Sequence, residues 1–208
     1  MTTTRATSSG SSAFDPDLKK AQIAEAAIRV FAESGLAKAK MIEIAREANV
    51  GKGTIYEYFR SKDELVKYAV TLFLQTLNQQ LDSELEREDD PMKKLEVIIH
   101  TTLESFWKVG HEGRFMIDIW ADGVRSGVDY FDTPAMYAQY RALIGAVLDE
   151  GTRRGMFRKT DSLITASLII SLLDGMILQW ALDPEALVYS DAEKGLLELL
   201  ELGLAPND

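Results

Sequence analysis

Lys52, Thr54, Tyr56 and Tyr58 are the residues whose types and spacing point most directly to chemistry. They turn outward from a short segment, Lys52 to Phe59, in which Ile55 and Phe59 stand i, i+4 and turn inward. An ammonium and a hydroxyl hold phosphate oxygens, and a phenol ring stacks on or hydrogen-bonds to a base edge or sugar. The small Gly53 between them lets a backbone approach closely. Other arrangements carry less. Gly51-Lys52-Gly53-Thr54 superficially resembles a phosphate loop but lacks the upstream Gly and the preceding strand. Glu96, His100 and Glu104 fall on one helical face at a metal-ligand spacing, yet a solvated His between carboxylates is the plainer reading. No metal and no cofactor are therefore expected. Enzymatic chemistry is poorly served: His100 and His111 are the only histidines, there is no Glu-x-x-His pair and no dinucleotide fingerprint, and Cys is absent.

The outward groups need a scaffold, and the preceding residues supply one. Met41, Ile44, Ala45 and Ala48 recur at the spacing of one helical face. Asn49 tolerates the left-handed backbone of a tight helix exit, Val50 drops back into the core, and Gly51 can cap the next helix. Met41 to Lys62 thus reads as a helix-turn-helix followed by the start of a third helix. Upstream, Pro16 to Ser34 carries an apolar stripe of Ile23, Ala24, Ala27, Ile28 and Phe31 that roofs the motif, and Gly35 ends it. Spacing alone leaves open a helical hairpin with a solvated face.

The run of matches resembles the DNA-binding end of the TetR family of bacterial regulators: Ile44-Ala45, Asn49-Val50, Gly53-Thr54-Ile55-Tyr56, Tyr58-Phe59 and Ser61-Lys62-Asp63. It covers Lys19 to Val70; beyond that only the architecture is similar. Asn49, Gly51 and Tyr58 depart from the family's usual Gly, Ser and His. Ala39-Lys40 replace a Thr pair that anchors phosphate, so Lys40 can restore the charge but not the cap. The resemblance implies an all-α protein, with a three-helix DNA-binding head joined by a long helix to a helical ligand-binding and dimerisation body. The DNA-binding residues it implies are Lys40, Lys52, Gly53, Thr54, Tyr56, Tyr58 and Lys62.

Charge distribution agrees. The chain has a net charge of -10, but residues 1–62 hold ten Lys or Arg against seven Asp or Glu, leaving thirteen against twenty-six for residues 63–208. A mildly basic head on an acidic body suits contact with DNA at one end only. The start, MTTTRATSSGSS, has no apolar stretch and reads as a polar arm rather than a secretory signal. The expected division is an arm over 1–14, a helix-turn-helix domain over 15–62 and an effector-binding and dimerisation domain over 63–208. A cytoplasmic location fits the lack of Cys.

In the body, helices are expected over Lys62–Glu86, Pro91–Val109, part of 110–132, Pro134–Arg154, Leu163–Leu182 and Asp191–Leu202. Prolines after capping residues (Asp90-Pro91, Thr133-Pro134, Asp183-Pro184) and capping boxes at Ser61 and Ser190 mark starts, and Gly203 marks a stop. Leu163–Leu182 is apolar around its whole circumference, which requires burial on more than one face; Asp174, Gln179 and its hydroxyls weigh against a membrane span. With the Pro134 helix it is expected to pair with its copy in a homodimer. Residues 106–140 hold eight of eighteen aromatics, and adjacent pairs such as Phe106-Trp107 cannot all face one core. Phe106, Trp107, Phe115, Met116, Trp120, Tyr137 and Tyr140 are therefore candidates to line a cavity for a small apolar or aromatic effector. Glu104, Asp118 and Asp122 make a cationic ligand conceivable. The function that follows is a ligand-responsive repressor binding a palindromic operator as a dimer. The alternative is a DNA-bound structural or partner-regulated protein without an effector.

Overall fold

The computed structural model describes residues 16–107, 112–186 and 188–206. Residues 1–14, read as an arm, and His111 lie outside the described residues. Those described form nine α-helices and no strand: α1 Pro16–Ser34, α2 Met41–Glu47, α3 Lys52–Tyr58, α4 Lys62–Leu85, α5 Pro91–Trp107, α6 Glu112–Ser126, α7 Thr133–Arg153, α8 Ser162–Leu182 and α9 Tyr189–Leu204. The all-α expectation holds because every long apolar pattern has helical period and is bounded by caps or glycines.

The head is α1 to α3 with the start of α4. Ile23, Ala27 and Phe31 of α1, Ile44 and Ala45 of α2, Ile55 of α3, Phe59, and Leu65 and Ala69 of α4 are fully buried together. Small residues on α1 and α2 let these helices pack closely. Gly35 ends α1 at φ 79°, and Asn49 makes the turn after α2 at φ 52°. Asn is among the few residues that take this backbone without glycine's freedom. Gln22 Nε2 on α1 donates to Ala48 O at 2.9 Å, holding the end of α2 against the roof helix. Ser61 caps α4 by accepting from Glu64 N at 3.1 Å.

In the body, α4 and α5 lie side by side, α6 reaches back to α1, and α7 and α8 form an extensively packed antiparallel pair. Gly151 of α7 allows the Phe157 ring to close over it: a Cβ there would sit 2.1 Å from the ring.

Several boundary expectations are corrected. Asp183-Pro184 opens a turn rather than a helix. The cap of α7 is Asp132, which accepts from Ala135 N at 2.9 Å, so Thr133 is already inside the helix. Ser190 does not cap α9, which starts at Tyr189 after Val188 and runs through Gly203 to Leu204, because nothing at Gly203 forces a positive φ. Val124 is 92% exposed near the end of α6.

Candidate DNA interface and effector cavity

Recognition of a duplex requires a helix standing free of its own domain. α3 does so: Lys52, Gly53 and Tyr56 are exposed, Tyr56 at 47%, and Thr54 is half-buried. Tyr58 is half-buried and packs against the head core, so less of it is offered outward than the sequence suggests. Lys40 stands exposed at the start of α2. Its backbone N–H donates to Glu43 Oε2 at 3.0 Å, and its ammonium makes no cap, as expected of a residue without a hydroxyl. Lys62 differs from expectation. It is half-buried, with Nζ donating to Leu36 O at 2.8 Å, Ala37 O at 3.3 Å and Ala39 O at 3.4 Å. In this state the ammonium ties the α1–α2 loop to α4. Lys20 lies over the Tyr68 ring, 4.5 Å from its centroid.

The body contains a void lined by five of its helices, α4 to α8. Leu74 and Leu77 come from α4, Ile98, Thr102 and Phe106 from α5, and Met116 and Trp120 from α6. Met136, Tyr137, Tyr140 and Ile144 come from α7, and Ile170, Leu173, Asp174 and Ile177 from α8. Space for the centres of water-sized molecules is about 50 Å³. The aromatic clustering of residues 106–140 divides here. Phe106, Met116, Trp120, Tyr137 and Tyr140 line the void. Phe115 does not: it stacks on Phe31 of α1 with ring centroids 5.6 Å apart, joining body to head. Trp107 also turns away, against Trp180 at 4.7 Å and Tyr189 at 5.0 Å.

The lining is apolar except at a few points. Tyr137 O–H donates to Asp174 Oδ2 at 2.9 Å, and Tyr140 O–H to Asn78 Oδ1 at 3.1 Å, which ties α7 to α4. Burial pushes the Asp174 carboxyl up, against the opposing hydrogen bond from Tyr137, and pushes the Tyr140 phenol up to about 12. Thr102 Oγ1 and Trp120 Nε1 are buried with no hydrogen-bond partner. Orphaned buried donors are rare in folded proteins, and both of these lie on the void. Trp120 and Tyr137 also border an open groove along Gly123, Val124, Gly127 to Phe131, Thr133 and Pro134.

The acids singled out beforehand lie elsewhere. Asp118 Oδ2 accepts from Leu36 N at 3.0 Å, at the head. Asp122 is held by Arg125 Nη2 at 2.7 Å and Tyr130 O–H at 2.8 Å, and these bonds lower its pKa. Glu104 Oε1 is 3.7 Å from His100 Nε2, while His100 Nδ1 is 2.7 Å from Glu193 Oε1. That pairing takes up His100 and Glu104 while Glu96 is exposed, and no metal-binding group of three acids or histidines occurs among the described residues. Asp174 was passed over as a ligand contact. Its signal was visible as the single charged residue in the apolar run Leu163–Leu182.

Residues 23–69, which include the whole helix-turn-helix, match the family model described as "Bacterial regulatory proteins, tetR family". The chain's DNA-binding head is of the TetR family. The protein is a transcriptional regulator, as are its relatives, and not an enzyme. It is 27% identical over 197 residues to the HTH-type transcriptional regulator YhgD of Bacillus subtilis, covering 91% of this chain and 98% of that one. It is 28% identical over 186 residues to the HTH-type nicotine-responsive transcriptional repressor HdnoR of Paenarthrobacter nicotinovorans, covering 86% and 92%. The fold is similar to that of a transcriptional regulator from Saccharomonospora viridis in complex with choline, with a TM-score of 0.81 at 18% identity, covering 92% and 100%.

Proposed function

We propose that this regulator is a cytoplasmic, dimeric repressor whose operator affinity falls when a small molecule occupies the body cavity. The observation that carries the reading is the lining of that cavity. Two residues with orphaned polar atoms and a half-buried acid line it, and its walls include Leu74 and Leu77 of α4, the helix whose first turn holds the α1–α2 loop of the head. The head, 15–62, binds DNA through Lys52, Gly53, Thr54 and Tyr56, with Lys40 at a flanking phosphate and Tyr58 a lesser contact; Lys62 reaches phosphate only on leaving the loop carbonyls. The body, 63–208, takes the effector on Phe106, Met116, Trp120, Tyr137 and Tyr140. A small-molecule effector is supported by one relative named for its response to nicotine and by a protein of similar fold solved with choline.

Dimerisation is supported by α8. Leu163, Ile164, Leu168, Leu172, Leu178 and Leu182 are all exposed on it, although the helix is the most apolar in the chain. α8 is also long and apolar enough to cross a membrane, but Ser171 and Gln179 share its exposed side, which a second copy accommodates better than lipid. A two-fold pairing of α7 and α8 sets two recognition helices about 34 Å apart, one turn of DNA. The effector-free alternative draws on the cavity's small volume. Titrating an operator duplex with and without each compound that raises the melting temperature distinguishes the two: a binder that weakens the complex supports effector release, and binders without exception leaving it unchanged support the alternative.

A further inference from the structure

The cavity's electrostatics narrow the chemical class of its ligand, an inference that rests on the effector reading above. Asp174 is the only acid on the lining, and no Lys, Arg or His lines it among the described residues. Arg141 is near enough to act on the Tyr137 phenol but is not part of the wall. The carboxyl thus sits in an apolar chamber with a neutral donor, Tyr137, where a cation would stabilise it far more. Taking a carboxylate out of water without a counter-charge costs several kcal/mol in proteins. Around it stand Phe106, Trp120, Tyr137 and Tyr140, whose ring faces attract cations. Trp120 Nε1 and Thr102 Oγ1 also lack partners there, but a donor asks for an acceptor, so the charge of the ligand rests on Asp174 and the rings alone.

We propose that the effector is an organic cation, a protonated or quaternary amine on an apolar body, with its charge against Asp174 and its body among the rings of Trp120, Tyr137, Tyr140 and Phe106. A ligand larger than a few waters widens the cavity as it enters, and the unbranched Met116 and Met136 side chains on the wall can move to allow this. An anionic compound is excluded by the same carboxyl, and a neutral one gains nothing from it.

The test uses the full chain and two probes of nearly equal shape, benzyltrimethylammonium and its uncharged carbon isostere neopentylbenzene, in calorimetric and thermal-shift titrations followed by operator titration. The expected result is that the cation binds at least about tenfold more tightly than the isostere and weakens the operator complex, and that Asp174→Asn removes this preference while leaving affinity for the isostere within about threefold. The comparison of probes on the unaltered protein stands even if D174N does not fold, and a circular dichroism melt identifies that case. Equal affinities, with either probe releasing DNA, would overturn the cationic class and leave the effector reading intact. Failure of both probes to bind would overturn the cationic class. The effector reading would fall with it only if neutral and anionic aromatic compounds failed as well.

Discussion

Leu168→Ala is the sharpest perturbation of the proposed dimer. Leu168 lies a third of the way along α8 and is 60% exposed in the protomer, so most of its side chain is buried only when a second copy covers it. The substitution removes three carbons, each worth about 0.8 kcal/mol on burial. Scaling by the exposed fraction leaves about 1.4 kcal/mol per copy. A two-fold interface feels the change twice, giving about 3 kcal/mol, or roughly a 100-fold weaker dimer. Sedimentation velocity over a dilution series from micromolar to nanomolar reads this directly, and operator affinity at low protein concentration should fall with it. Val124→Ala is the control: its side chain is 92% exposed but stands near the end of α6, and it should leave association unchanged. An unaltered dissociation constant for L168A, or a protein already monomeric at micromolar concentration, would refute the placement of the interface on α8.

Tyr56→Ala should cost about 1–3 kcal/mol of operator binding and relax base preference; equal losses on operator and random duplex would remove Tyr56 from the reading residues. Lys62→Ala should lower the melting temperature of the free protein, because three loop carbonyls lose their ammonium, whereas the exposed Lys40→Ala should change stability by less than about 0.5 kcal/mol. Gly151→Ala places a Cβ 2.1 Å from the Phe157 ring, an overpacking expected to cost about 1–3 kcal/mol in a denaturant melt. Asp174→Asn should raise the melting temperature at pH 7. Desolvation lifts the folded-state pKa of Asp174 above its unfolded value, so the folded chain binds the proton more tightly and the wild type loses stability as pH rises through that range. The advantage of D174N should therefore shrink towards pH 4, and a pH-independent difference would contradict the assignment.

The head was almost wholly legible in the sequence because its signals are local. Asn49 announces its left-handed turn, Gly51 its cap, and the i, i+4 pair Ile55 and Phe59 the buried side of α3. The contacts of Lys62 are not legible for a non-local reason: its partners are carbonyls 23 to 26 residues away, and no pattern in the chain shows that a loop will fold back over it. The same holds in the body. Aromatic density identified the region of the cavity, but which of two adjacent rings faces it depends on where α9 and α1 pack: Trp107 goes to Tyr189, Phe115 to Phe31. Asp174 was hidden by its neighbours, since one acid in an apolar run looks like an exception until the helix opposite supplies Tyr137.

No residue on the cavity wall belongs to the head, so the proposed coupling between the two must run through helices that touch both. α4 is one: Leu74 and Leu77 line the cavity, Tyr140 bonds to Asn78 one residue further on, and Lys62 stands at the opposite end. α6 is the other, and its geometry is more direct. Met116 and Trp120 face the cavity, while Phe115 stacks on α1 and Asp118 accepts from Leu36 N. At about 100° per residue the two pairs lie on faces roughly 150° apart, so a push on one face arrives at the other as a rigid displacement of the helix. An effector biases such a pair of states only by binding one more tightly than the other. A compound small enough to occupy the existing space of about 50 Å³ leaves α6 where it is and changes nothing at the DNA. One that must push Met116 and Trp120 aside to reach Asp174 binds only the displaced state, and a coupling of about 1–3 kcal/mol at the operator follows from that difference.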